Sequence, residues 1–232
     1  MSIKKGLIDL FFPEHCLHCG AKTIVQNTVS LCLPCEAQLE VAFLDVNGQN
    51  SLRNKFKGIF DVKHAFSLYV FSLEGVSQSL IHEAKYKNKM YLFEHYAKIL
   101  AHKTITHNLF DSELPDLIVP VPNHWFKRMK TGYNQAEVFA KSFGDYLGVH
   151  LESNALKKHF DMYSQTKRNK VNRLLRLKTL YSHSKNSFKL KDKHVLLIDD
   201  VITSGATIET CVNLLLKADV KKISVVSFMM VK

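Results

Sequence analysis

The chain has 232 residues, 46% of them hydrophobic, and a formal net charge of +11. That length and composition suit one large domain, or one domain with a small appendage, around a proper core. No apolar run approaches the roughly 18 residues of a membrane-spanning helix, and no internal repeat or low-complexity tract is present. The charge is uneven. Residues 157–193 hold twelve Lys/Arg against Asp161 and Asp192, which is +10 (12 − 2), so the other residues together carry only +1 (11 − 10). A block this basic points to a polyanionic partner.

The first fifteen residues contain two lysines and a short apolar patch interrupted by Asp9, with no small-residue cleavage site. They do not read as a signal peptide. The expectation is an amphipathic turn packed on the fold, with peripheral contact to an anionic membrane surface as the lesser alternative.

Four of the five cysteines are spaced Cys16-x2-Cys19-x12-Cys32-x2-Cys35. Paired C-x2-C knuckles predict a closed, tetrahedral, structural zinc site. A module of about 40 residues has too little core to fold alone, so the metal would supply the missing stabilisation. Two disulfides would need an oxidising compartment, which nothing here suggests. His15 and His18 flank the first knuckle and are expected outside the ligand set. Residues 36–62 include Asn47-Gly48-Gln49-Asn50-Ser51, a polar link. It divides the chain into a zinc module, 1–45, and a larger domain, 46–232.

Residues 64–71 read as a strand, and 77–85 and 91–103 carry apolar spacing suited to two helices. His82, His95, His102 and His107 are scattered among them and form no metal triad. The stretch 117–122, LIVPVP, reads as a buried strand with its prolines confined to the end. Lys127, Arg128 and Lys130 follow, then Gly132-Tyr133-Asn134-Gln135, and helical spacing resumes at Ala136. Basic residues between strand and helix make a candidate anion loop, while Asn134 and Gln135 equally suit helix capping. Residues 163–178 lack a strand pattern and are strongly basic, which predicts a mobile loop or short helix.

The most informative stretch is 195–210, VLLIDDVITSGATIET. Val195 to Ile198 are continuously apolar, as in a parallel strand buried on both faces. Asp199 and Asp200 then fall at the carboxyl end of the strand, where open α/β sheets bind ligands. The small residues Thr203, Ser204, Gly205, Ala206 and Thr207 let the backbone close around a phosphate at a helix N-terminus. Two adjacent carboxylates beside that phosphate suit the vicinal hydroxyls of a ribose. No Gly-Lys-Ser/Thr follows, so this is not a P-loop. Cys211, on the apolar face of the next helix, reads as a buried filler. Residues 221–231 supply the closing strand. Strand–helix–strand alternation over 117–231 predicts a parallel, doubly wound α/β sheet.

The 195–210 string resembles the phosphoribosyl-pyrophosphate (PRPP) motif of type I phosphoribosyltransferases. The four-cysteine module, Lys85-Tyr86, VPVP and GYNQAE occur beside it. Together they resemble the ComF family of competence proteins, including its GntX-like members. The resemblance implies a phosphoribosyltransferase-like fold with structural Zn²⁺ and with Mg²⁺ accompanying PRPP. By position, it makes Asp199 and Asp200 ribose contacts and catalytic residues, and residues 203–207 the 5′-phosphate loop. Asn123 and Arg128 fall in the pyrophosphate loop. Gln165, Arg173 and Arg176 fall in a flexible loop, with an arginine where the family pattern has asparagine. The resemblance further implies natural transformation, with incoming single-stranded DNA handled in the cytoplasm, near the inner face of the membrane and with other DNA-uptake proteins. Trp125, Phe126 and Tyr133 are candidates to stack on bases. An active phosphoribosyltransferase on an unidentified base and a non-catalytic scaffold are the alternatives.

Overall fold

The computed structural model describes residues 15–22, 31–43, 51–87, 89–123, 132–159 and 180–232. The expectations for residues 1–14, the boundary near 45, and Trp125, Phe126, Arg128, Gln165, Arg173 and Arg176 lie outside the described residues.

Five parallel strands form the main sheet. They are β1 (Ala65–Val70), β2 (Leu117–Pro120), β3 (His150–Leu151), β6 (His194–Ile202) and β7 (Lys222–Met230), in the order β1-β7-β6-β2-β3. Two further short strands, β4 (Leu156–Lys158) and β5 (Tyr181–His183), pair antiparallel beside it. The helices are α1 (Leu33–Glu36), α2 (Ser51–Phe56), α3 (Val76–Tyr86), α4 (Met90–Thr106), α5 (Gln135–Leu147) and α6 (Ala206–Lys217). A 3₁₀ turn, Lys185–Leu190, precedes β6.

Both faces of the sheet are covered, which explains the uninterrupted apolar run of β6. On one face, Leu92, Phe93 and Tyr96 of α4 and Phe139 and Phe143 of α5 pack on Ile118, Leu196, Ile198 and Phe228. On the other face, Ile208, Cys211, Val212 and Leu215 of α6 pack on Val119, Val195, Leu197 and Val225. Successive β6 residues thus feed alternate layers. Cys211 is fully buried there, as expected of a filler. The sheet edge at β1 is blunted by residues 40–42. Ala42 N donates to Leu68 O (3.0 Å) and Val70 N to Glu40 O (2.8 Å), so the chain after the cysteines lies antiparallel against β1.

The stretch 36–62 is more than a polar link. Its α2 places Leu52 and Phe56, each 1% exposed, into the α6-side core. At the opposite end of the sheet from Asp199, His194 is buried and its Nε2 pairs with Ser224 Oγ (2.8 Å). Its ring stands 6.3 Å from that of His64. Burial, and then the nearby Lys63 charge, pull His194 down to about 4. Its neutral form is therefore the one the fold holds. Stability from this group is complete above the ordinary histidine value and is lost as pH falls from about 6.5 toward 4, where the unfolded chain binds the extra proton. Relative to His194→Gln, the wild-type protein should lose on the order of 2–3 kcal/mol across that window in urea titrations. Parallel pH profiles of the two proteins would remove this assignment. The comparison cancels Asp199, whose raised pKa acts in the opposite sense.

Candidate functional site

β2 and β6 are adjacent and parallel, yet their connections diverge. After β2 the chain crosses through α5 to β3, and after β6 it crosses through α6 to β7 on the other side. A crevice opens where strand order reverses, at the strands' carboxyl ends. Loop 121–123 and turn 203–205 border it.

The strand β6 continues through the aspartates to Ile202. Each carboxylate is fixed by the next backbone amide: Asp200 N donates to Asp199 Oδ1 and Val201 N to Asp200 Oδ1, both at 2.8 Å. Burial, and next the Asp200 charge, push Asp199 well above the ordinary carboxylate value. The chain then turns through exposed Thr203 and Ser204 into Gly205, whose φ of +80° is left-handed. Glycine adopts this at little cost. A Cβ there would also lie 3.1 Å from Phe56 Cε1. Gly205 is the N-cap of α6 and no side chain caps that helix, so its first amides face the turn. Thr207 lies in the first turn of α6. The structure therefore places Asp199, Asp200 and residues 203–207 together at the carboxyl end of β6 and the start of α6.

Asn123 Nδ2 donates to Gln135 Oε1 (2.7 Å), which ties the segment after β2 to the start of α5. Asn134 occupies the N-cap position of α5, but its side chain makes no cap and donates to Val121 O (3.1 Å). Gln135 is fully buried, and its Nε2 has no hydrogen-bond partner among the described residues. Tyr133 is only 8% exposed and its hydroxyl donates to Ala84 O (2.8 Å). It braces α3, which corrects its reading as a base-stacking platform.

Lys85 and Tyr181 take roles that sequence reasoning missed. Lys85 Nζ of α3 sits 2.6 Å from Asp200 Oδ2. The Lys85-Tyr86 pair had marked the spot, but no periodicity could have shown its partner. Tyr181 is buried in the α6-side core, with Lys158 Nζ 4.9 Å from the centre of its ring.

The basic block is partly structural. Lys189 pairs with Glu152 (2.6 Å) and Lys158 covers Tyr181, whereas Lys157, Lys185, Lys191 and Lys193 are exposed.

A second centre lies at the sheet edge. The sulfurs of Cys16, Cys19, Cys32 and Cys35 all fall within 4.8 Å of one another, with Cys19 and Cys32 Sγ 3.7 Å apart. Four thiolates at roughly 2.3 Å from a tetrahedral Zn²⁺ stand about 3.8 Å from each other. The separation is far beyond a disulfide bond, and the set could hold a zinc ion. Burial raises a thiol, but backbone amides of Cys19, Cys32 and His18 point at Cys16 and bring it down to about 6. Burial and the three neighbouring sulfurs push Cys35 up. Crowded sulfurs of this kind are relieved by a cation. His15 bonds Gly20 O and His18 bonds Ser79 Oγ, each at 2.9 Å, so both stand outside the sulfur set.

The sheet and the β6–α6 turn define a phosphoribosyltransferase-type α/β protein. The family described as phosphoribosyl transferase domain matches residues 134–231. Competence protein F of Haemophilus influenzae is 27% identical over 231 residues, covering 93% of this chain and 96% of that protein. The chain is thus similar to competence protein F along nearly all of both chains, and it carries a four-cysteine cluster near its N-terminal end. The DNA utilization protein YhgH of Escherichia coli K12 is 24% identical over 143 residues, 60% of each chain. A solved glutamine PRPP amidotransferase from B. subtilis, complexed with ADP and GMP, gives a TM-score of 0.40 at 16% identity. That match covers 59% of this chain and 26% of that one.

Chelation of a metal-loaded preparation, or Cys16→Ser with Cys35→Ser, should lower the melting temperature by about 10 °C or more. Elemental analysis should find about one zinc per chain. An unchanged melting curve after chelation would refute a structural metal.

Proposed function

We propose that the protein binds a phosphoribosyl ligand of the PRPP class in the β2/β6 crevice and acts on incoming single-stranded DNA in the cytoplasm. The observation that carries the ligand reading is the carboxylate pair of β6 running directly into an uncapped helix N-terminus through left-handed Gly205. Amides and hydroxyls of residues 203–207 would hold the 5′-phosphate. Asp199 and Asp200 would take the ribose hydroxyls. Asn123 borders the space for the pyrophosphate, with Arg128 proposed beside it and Gln165, Arg173 and Arg176 proposed to close over it. Mg²⁺ accompanying PRPP would offset the pyrophosphate charge. Zn²⁺ would occupy the four-cysteine cluster.

The DNA reading is supported by the names of the relatives, a competence protein and a DNA utilization protein. The excess of cations in residues 157–193 also supports it. Partners among other DNA-uptake proteins, and peripheral contact of the N-terminus with the membrane, belong to the same reading. Among the described residues no helix is long and apolar enough to cross a membrane. An active transferase is the second reading, favoured by the carboxylate pair, because negative charge there would face the cation that develops on a ribose losing pyrophosphate.

At about 100 times Kd, Mg²⁺-PRPP should raise the melting temperature by about 5–10 °C. The rise should vanish in Asp199→Ala with Asp200→Ala and shrink in Gly205→Val. An equal rise in the double variant would dismiss the site. Single-strand affinity, followed by fluorescence anisotropy, should fall steeply with salt, by about 0.7 log units per log unit of salt for each phosphate neutralised. A flat salt response would count against DNA. Pyrophosphate release from PRPP with a panel of bases, with and without single strands, separates transfer from binding. Turnover with one base identifies a transferase.

A further inference from the structure

We propose that Lys85 is the resident counter-cation of the carboxylate pair, and that it makes entry of a divalent metal conditional on a polyanionic ligand. The inference deepens, and rests on, the phosphoribosyl reading of the crevice.

Lys85 Nζ stands 2.6 Å from Asp200 Oδ2, with only 16% and 13% of the two side chains exposed. The pair joins the end of α3 to the end of β6. The geometry is held from both sides. Ala84, immediately before, is fully buried and its carbonyl accepts the Tyr133 hydroxyl at 2.8 Å. Glu83 takes Lys89 at 2.7 Å and fixes the start of the next turn. At its other end, Ser79 of α3 meets His18 beside the cysteine cluster at 2.9 Å. The helix therefore delivers this ammonium into the crevice by construction.

Asp200 thus faces a fixed cation, 2.6 Å from its Oδ2, while Asp199 Oδ1 accepts the Asp200 amide at 2.8 Å. A lone divalent ion approaching Asp200 would meet the Lys85 charge at close range, in a site where water screens it poorly. A pyrophosphate-bearing ligand changes both terms. It offers Lys85 competing oxygens and brings its own negative charge to the metal. Metal and anion then enter together, and the site ignores free Mg²⁺.

The test uses the full zinc-loaded chain and Mn²⁺ as the spectroscopic probe, titrated by electron paramagnetic resonance without any phosphorylated compound. Lys85→Met should bind one Mn²⁺ about tenfold or more tighter than wild type, and adding Asp200→Asn should abolish the gain. Lys85→Arg, which keeps the charge, should behave as wild type. Equal affinities for Lys85→Met and wild type would overturn the proposal. So would tight Mn²⁺ binding by wild type that disappears in Asp200→Asn, a result that does not depend on Lys85→Met folding. The PRPP melting shift of wild type is read separately. If it is present while Lys85→Met gains no metal, only the Lys85 role fails. If it is absent while Lys85→Met gains metal, only the phosphoribosyl reading fails.

Discussion

Strands β2 and β6 lie side by side and parallel, yet the chain leaves them in opposite directions. That single constraint determines where chemistry can occur. Because α5 returns over one face and α6 over the other, neither helix covers the carboxyl ends of the two strands. Loop 121–123 and turn 203–205 are left facing a shared space. The polar atoms at its rim are held by backbone: Asp199 and Asp200 by the following amides, Asn134 by the Val121 carbonyl. Side chains fixed in this way lose little freedom when a ligand arrives, which is how a rigid scaffold positions a site on mobile loops.

The four-cysteine cluster belongs to the same mechanical system. Cys16, Leu31, Cys35, Leu39 and Phe43 share one apolar cluster with Tyr69 and Phe228 of the sheet. The chain beyond the cysteines runs along the β1 edge and bonds its Leu68 carbonyl and Val70 amide. His18 touches α3 at Ser79, and α3 ends at Lys85. A metal ion held by the four cysteines would therefore also support the helix that aims Lys85 at Asp200. The sheet connects the two sites through packed and hydrogen-bonded groups.

Legibility in the sequence followed the physics of each element. β6 could be read because burial on both faces demands an unbroken apolar run, and the site could be read because it follows that run without interruption. α2 was hidden by the polar residues before it. Only Leu52 and Phe56, one turn apart, marked a buried face. β3, β4 and β5 span two or three residues each, too few for alternation to register. Tyr133 sits among polar residues and so resembles an exposed stacking platform, yet it folds beneath α3. Asn134 has the right identity and place for a cap, but the Val121 carbonyl engages its amide. The Lys85–Asp200 pair joins residues remote in sequence. Such a contact is fixed by the packing of whole elements and leaves no local trace.

The charges around the crevice make a coherent resting state. Two ionised carboxylates on successive residues, partly withdrawn from water, would repel each other and any phosphate nearby. Here one is biased toward its neutral form and the other is matched by Lys85. The uncapped N-terminus of α6 thus lies beside a carboxylate pair whose charge Lys85 partly offsets. A ribose needs the opposite feature, acceptors for its hydroxyls, and both aspartates retain oxygen lone pairs for that purpose in either protonation state. In the phosphoribosyl reading proposed above, Lys85 would separate the charge of Asp200 from its hydrogen-bonding capacity, so that anion attraction and sugar recognition coexist within a few residues.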